Sequence, residues 1–359
     1  MSPTEYGPTG GAGDDRGTGE GSGDRAAGDA GADDPVLGEA GSDTETVEGV
    51  GIDDPGIEGR NVLVTGGAGF VGSRLAGALA GDNRVTVLDD LSSGSGGNVP
   101  DAAELVVGDV RDPDLLSATT EGVDVVFHQA AQVSVPRSVE EPSRTHAVNA
   151  TGTLRVLEAA RDAEARVVMA SSAAVYGRPE RTPIPEDHRT APASPYGASK
   201  AVADRYARLY ASLYDLPTVV LRYFNVYGPG QSAGDGVVAT FVDRALSGEP
   251  IRVHGDGGQS RDFVHVDDVV RANLAAATTD RVGRAFNVGT GTAVTVRELA
   301  ETIVGLTDSD SAVVHADPRE GDVRHSLADV GAARNALGYE PTVGLAEGLD
   351  SLVERRGGE

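Results

Sequence analysis

From Asn61 onward the chain alternates short runs of β-branched and apolar residues with longer stretches whose apolar positions recur at helical spacing. Asn61 to Thr65 is the first such run. After a glycine-rich turn, Phe70 to about Ala80 follows with the period of an amphipathic helix. Further strands are predicted at Arg84 to Leu88, Glu104 to Gly108, Val123 to His128, Arg166 to Ala170 and Thr218 to Tyr223, with helix-like stretches between most of them. Alternation of this kind predicts an α/β protein with a doubly wound parallel sheet covered by helices on both faces.

Residues 1 to 57 break the pattern. They hold fourteen acids, two arginines and fifteen glycines with few bulky apolar side chains, too little to offset the entropy of ordering, so a disordered acidic tail is predicted. The tail lacks the apolar stretch of a secretory signal, and a cytoplasmic location is expected. The remaining body is still acidic, and the 359-residue chain carries a formal charge of -26. That field opposes nucleic acid and anionic membranes, and the carboxylate excess points to a high-salt, halophilic setting. With no cysteine, a disulfide framework, a thiolate zinc site and a cysteine nucleophile are excluded. The seven histidines are scattered without metal-ligand spacing, so no metal site is expected.

Against that background the first turn stands out. Gly66, Gly69 and Gly72 fall at GxxGxxG between a strand and a helix, with Phe70 and Val71 opening the helix. Gly66 would permit the tight turn, Gly69 the approach of a pyrophosphate, and Gly72 close packing of helix on strand, in the Rossmann manner. Asp89 ends the second strand, where a carboxylate accepts from both adenosine ribose hydroxyls and repels the extra phosphate of NADP, so NAD is the expected cofactor. Taken alone, Asp89 could be a turn acid before Asp90. Asp109 and Val110 follow the third strand and could meet the adenine, although a loop cap explains Asp109 nearly as well.

Ser194-Pro195 starts a helix that places Tyr196 and Lys200 four residues apart on one face. An ammonium beside a phenol would lower a pKa near 10 toward neutrality and make the phenol a usable base. Lys200 is the single lysine of the chain. The alternative is an amphipathic helix with a core tyrosine and a solvated lysine. Ser172, just after the fifth strand, could relay a proton to Tyr196, or could merely cap a turn.

The ordered set TGGAGFVG (residues 65–72), Asp89-Asp90-Leu91, Gly108-Asp109-Val110, His128-Gln129-Ala130-Ala131, Asn149 with Gly152-Thr153, SSAAVYG (171–177), PYGASK (195–200), LRYFN (221–225), Arg261-Asp262-Phe263 and PREGD (318–322) resembles the extended short-chain dehydrogenase/reductase family. Within it, the chain is similar to NAD-dependent nucleotide-sugar epimerases such as UDP-glucose 4-epimerases. The resemblance implies oxidation at C4 of a nucleotide-diphosphate sugar, a transient 4-keto sugar and reduction on its other face, with Ser172, Tyr196 and Lys200 as catalytic residues. It further implies Ala130, Asn149 and Tyr223 as cofactor neighbours, and Asn225, Arg261, Arg319 and Asp322 as substrate residues. The corresponding domains are a tail at 1–57, an NAD-binding domain at 58–225 joined by a segment near 262–290, and a smaller nucleotide-sugar domain mainly in 226–359. The family also implies a homodimer and a UDP-linked substrate. UDP-N-acetylglucosamine and UDP-glucuronate epimerases are the alternatives. Dehydratases, which carry Asp-Glu after the equivalent of Ser172, are disfavoured by Ala173 and Ala174, and a reductase or a silent NAD-binding regulator fits less well.

Overall fold

A computed structural model describes residues 57–232, 234–318 and 322–358. Residues 1–56, and with them nearly all of the expected acidic tail, lie outside the described residues. Ile57, assigned to that tail by composition, instead packs into the core at 5% exposure. The tail boundary therefore falls before it, because one branched apolar side chain has a pocket to fill.

In chain order the elements are β1 (Asn61–Thr65), α1 (Phe70–Leu79), β2 (Arg84–Asp89), β3 (Glu104–Val107), α2 (Pro113–Thr120), β4 (Val125–His128), α3 (Val135–Glu140), α4 (Pro142–His146), α5 (Thr153–Asp162), β5 (Arg166–Ser172) and α6 (Pro195–Tyr214). There follow β6 (Thr218–Tyr223), β7 (Asn225–Tyr227), α7 (Gly236–Leu246), β8 (Ile251–His254), β9 (Ser260–Arg261), β10 (Phe263–His265), α8 (Val266–Thr278), β11 (Arg284–Val288), β12 (Val294–Thr295), α9 (Val296–Leu306), β13 (Val313–Ala316), α10 (Gly331–Leu337) and α11 (Leu345–Gly357).

Seven strands form one parallel sheet in the order β11-β6-β5-β4-β1-β2-β3. The doubly wound parallel fold read from the alternation is thus what forms. Alternate side chains of each strand enter opposite layers. Val62, Val64 and Phe127 meet α1 and α8, whereas Leu63, Val126 and Met169 meet α2, α5 and α6. Strands buried on both faces must be apolar nearly throughout, and all six residues of β6 are buried. Arg222, in that strand, is the conspicuous exception to apolarity.

A third apolar cluster is built by α7, β8, α9 and α11 around Phe241, Ile251, Leu299 and Leu352. Three two-stranded pairs, β7 with β10, β8 with β13 and β9 with β12, accompany it.

Candidate active site

The chain runs outward from β1 through β2 to β3, then returns to place β4 on the other side of β1. Strand order reverses there, and the carboxyl ends of β1 and β4 border the crevice in which open α/β sheets bind ligands. Gly66 occupies that point with φ 71, and a Cβ on it would lie 2.5 Å from the Ala130 nitrogen. Gly72 is equally constrained, since its Cβ would lie 2.1 Å from the Gly66 carbonyl oxygen. Its close approach is to the turn itself rather than to the strand face expected from the spacing. Gly69 is the N-cap of α1 without a side-chain cap, so the amides of the first turn, from Phe70 through Val71 to Gly72, remain available to a diphosphate.

Asp89 is buried at the end of β2 and accepts from Ala68 N at 3.0 Å and Leu91 N at 2.8 Å. The carboxylate is fixed between the glycine turn and the next loop, with lone pairs left for ribose hydroxyls. Asp90 accepts from Ser92 N at 3.0 Å. Asp109 pairs with Arg111, which holds its carboxyl below the usual range. The nearest demand on that carboxylate is therefore local. Val110 is buried against Gly152. The glycine cradle, the uncapped helix start and the fixed carboxylate together fit a dinucleotide.

Ser194 caps α6 by accepting from Gly197 N at 3.1 Å, and Pro195 takes the first helical position. Tyr196 and Lys200 are both buried beneath the ends of the sheet strands. The Lys200 ammonium donates to Ala170 O at 2.9 Å, and the Ser172 hydroxyl, which accepts from Ala174 N at 3.2 Å, lies near enough to the Tyr196 phenol to favour its ionisation. The three residues expected to act together are thus assembled from β5 and α6. Burial pushes the phenol up and the Ser172 hydroxyl only partly offsets it, so the protein groups alone do not supply the expected lowering. Lys200 spends a proton on a backbone carbonyl, and no stabilisation of the phenolate by its charge accompanies that arrangement.

Burial also pushes Lys200 down to about 8. The unfolded chain keeps that proton to about 10.5 and the folded one releases it from about 8, so stability rises with pH across this window. Lys200→Met should therefore abolish turnover yet raise Tm at pH 7, by a stabilisation of about 3 kcal/mol that fades above the upper limit. Melting curves without NAD at the two pH values test this, and an unchanged or lower Tm at pH 7 would contradict it.

Several polar groups brace the site through partners that the sequence did not announce. The Asn149 carboxamide, expected beside the cofactor, accepts from Gln132 N at 2.8 Å and donates to Gln132 O at 3.0 Å and Ser199 Oγ at 3.1 Å. Its donors are spent tying the loop after β4 to α6. It sits in a π-helical turn, Ala147–Gly152, an irregularity frequent at functional sites. Tyr223 Oη donates to Gln129 Oε1 at 3.2 Å, Gln129 Nε2 donates to Asn273 Oδ1 at 3.0 Å, and Asn273 Nδ2 donates back to Tyr223 Oη at 2.8 Å, closing a ring. His128 is buried between Thr65 and Thr153. Since Thr153 donates to Asn149 O at 2.6 Å, it accepts from His128 Nε2, and Thr65 donates to Nδ1; burial and then the Lys200 charge push this imidazole down to about 3.

On the substrate side, Asn225 opens β7 and its N–H donates to Asp262 O at 3.0 Å. Arg261 donates to Asp322 at 2.5 Å, bringing two expected substrate residues together. Arg319 lies outside the described residues. Asp262, quoted with Arg261 but given no task, is fully buried and accepts from Thr290 N, Gly291 N and Ala328 N. It anchors the loop after β11 beneath this region.

A parallel sheet with a glycine turn at its switch point and a Ser-Tyr-Lys set above the neighbouring strands defines a dinucleotide-dependent enzyme of the extended short-chain dehydrogenase/reductase type. The chain belongs to the NAD dependent epimerase/dehydratase family, whose model matches residues 62–289. It is 44% identical over 303 residues to a UDP-glucose 4-epimerase of Mycolicibacterium smegmatis, covering 81% of this chain and 97% of that protein. Among solved structures it is similar to a Thermotoga maritima UDP-glucose 4-epimerase with UDP-glucose, at 40% identity and TM-score 0.80, covering 82% of this chain and 98% of that one. A Methanobrevibacter ruminantium UDP-N-acetylglucosamine 4-epimerase in complex with UDP-N-acetylmuramic acid is 37% identical with TM-score 0.81, covering 84% of this chain and 99% of that one.

Proposed function

We propose that the protein is an NAD-dependent 4-epimerase of UDP-sugars, with UDP-glucose and UDP-galactose as its pair. The observation carrying this reading is Ser172 at the end of β5, near Tyr196 and followed by a turn, Ala173–Tyr176, with no carboxylate in it. Eliminating water needs an acid and a base beside the sugar, whereas exchanging hydrogen at a carbinol carbon needs one proton acceptor and one relay.

In this reading Tyr196 takes the proton of the sugar 4-hydroxyl and later returns it, and Ser172 donates to the oxygen that carries the charge. Lys200, with protons beyond the one given to Ala170, holds the cofactor ribose and steadies the phenolate. NAD, when bound, supplies reversible two-electron oxidation of C4, so the sugar passes through a 4-ketone and no second redox substrate is consumed. Gly66, Gly69, Gly72 and Asp89 would hold the cofactor. Arg261 and Arg319 would grip the diphosphate, Asn225 the diphosphate-sugar region and Asp322 the uridine ribose. We assign the seven-stranded sheet with its helices to an NAD domain, and the α7, β8, α9 and α11 cluster to a sugar domain.

The finer setting belongs to the same proposal. A second copy would cover the exposed apolar positions Val135 and Val139 of α3 and Val202 and Tyr206 of the adjoining α6. The acid excess suits a salt-rich cytoplasm. Purified protein with NAD at high salt, given UDP-glucose, UDP-N-acetylglucosamine, UDP-glucuronate and dTDP-glucose without reductant, should yield the 4-epimer of UDP-glucose by NMR, and should sediment as a dimer. Loss of water or carbon dioxide from any of them would overturn the epimerase assignment, and a monomer the dimer.

A further inference from the structure

Tyr196, Lys200 and Asp204 follow one another at four-residue steps along α6, so they share a face. The first two serve the reaction. Asp204 is 1% exposed and meets the guanidinium of Arg222, itself 2% exposed, through two hydrogen bonds, Nε to Oδ2 at 2.8 Å and Nη2 to Oδ1 at 3.2 Å. Arg222 Nη1 donates to Tyr176 Oη and to Glu186 O, both at 2.9 Å, and the Tyr176 hydroxyl donates to Asn287 Oδ1 at 2.7 Å. In the sheet Arg222 lies beside Ser171 of β5 on one side and Asn287 of β11 on the other.

One guanidinium therefore holds both supports of the reacting pair. Tyr196 rides on α6, which Asp204 fastens to β6. Ser172 ends β5 and starts the short turn whose last residue, Tyr176, Arg222 also grips. Apolar packing under α6 is non-directional and tolerates sliding, whereas a bidentate carboxylate–guanidinium contact fixes the helix along its axis. A buried ion pair is moreover a poor source of net stability, since desolvation consumes much of the attraction.

We infer that Arg222 and Asp204 are positioning residues that set the register of α6 against β5 and so keep Tyr196 placed beside Ser172. The inference rests on the catalytic reading of that pair given above. Misplacement of reacting groups by about 1 Å costs on the order of 100-fold in rate, so the effect falls on turnover rather than on sugar binding.

The test is the double variant Arg222→Met with Asp204→Leu, which removes both charges of the buried pair and leaves only the half-buried Arg208, which also donates to Asp204 and can turn to solvent, without its carboxylate. In the holoenzyme we expect Tm, NAD content and KM for UDP-glucose close to those of the unaltered protein. We expect kcat to fall by about 100-fold. We also expect the ionisation seen in its pH profile to move upward, because the Ser172 hydroxyl favours the phenolate. Crystal structures of the variant and the unaltered protein should differ by a shift of Tyr196 relative to Ser172 of about 1 Å. Asp204→Glu, which keeps the charge but lengthens the link, provides the same measurements if the double variant does not fold. Retention of either the unaltered placement of Tyr196 beside Ser172 or full kcat overturns the inference. Because the crystallographic readout needs no turnover, it decides the matter even if the unaltered protein fails to epimerise UDP-glucose, a failure that would count against the proposed function instead.

Discussion

Tyr196→Phe is expected to lower kcat by about 1,000-fold while leaving NAD content and UDP-glucose affinity nearly unchanged. The variant removes one oxygen from a buried ring, and the group beside that oxygen is the Ser172 hydroxyl, itself anchored by Ala174 N. Packing around the ring is kept, so the folded state should survive; what disappears is the group proposed to take and return the hydroxyl proton. The raised phenol gives the prediction a second part. Burial disfavours the phenolate, so the base form must be recruited by charge that arrives with the cofactor. The acidic limb of the kcat profile should then vanish in Tyr196→Phe, leaving a low, pH-insensitive rate. Steady-state kinetics between pH 6 and roughly 10, with binding followed by calorimetry, would test this, and retention of more than about a tenth of kcat would assign the proton transfer to another group.

Gly66→Ala should eliminate NAD binding and destabilise the protein by about 3 kcal/mol or more. Two penalties add. The residue sits at φ 71, where an L side chain is strained, and its new methyl would lie 2.5 Å from Ala130 N and 2.7 Å from Ala130 Cα. Those neighbours are backbone at the end of β4, which is paired to β1 on one side and β5 on the other, so relief by local shift is expensive. The crevice narrows where the cofactor must enter. Differential scanning calorimetry and NAD titration check the two effects, and normal NAD affinity would place the cofactor away from the switch point.

Period and turn chemistry were enough to reach the parallel sheet, because its central strands are buried on both faces. Ends of elements were less legible. Val123 and Asp124 lead into β4 rather than belonging to it, whereas β5 continues to Ser172 because it keeps pairing with β6 as far as Tyr223. Asp204 could have been found, since it repeats the four-residue step from Tyr196 through Lys200. Its partner could not: Arg222 lies in another element, and which buried carboxylate a strand arginine meets is decided by packing. The same holds for Asn149 and Tyr223, whose side chains the sequence offers to a cofactor but the folded chain uses first on Gln132, Ser199, Gln129 and Asn273. Asp109 shows the reverse case, a carboxylate claimed two residues away by Arg111.

The imidazole between Thr65 and Thr153 has both nitrogens engaged in opposite senses, one receiving a proton and the other giving one. An added proton would turn the receiving side into two donors face to face. The unfolded chain takes up that proton from about pH 6.5 downward and the folded chain only near pH 3, so acidification progressively favours unfolding across the interval. Acid inactivation of this protein should accordingly begin as a parting of the first strand from the helix beside it, ahead of any change in the chemistry at the sugar.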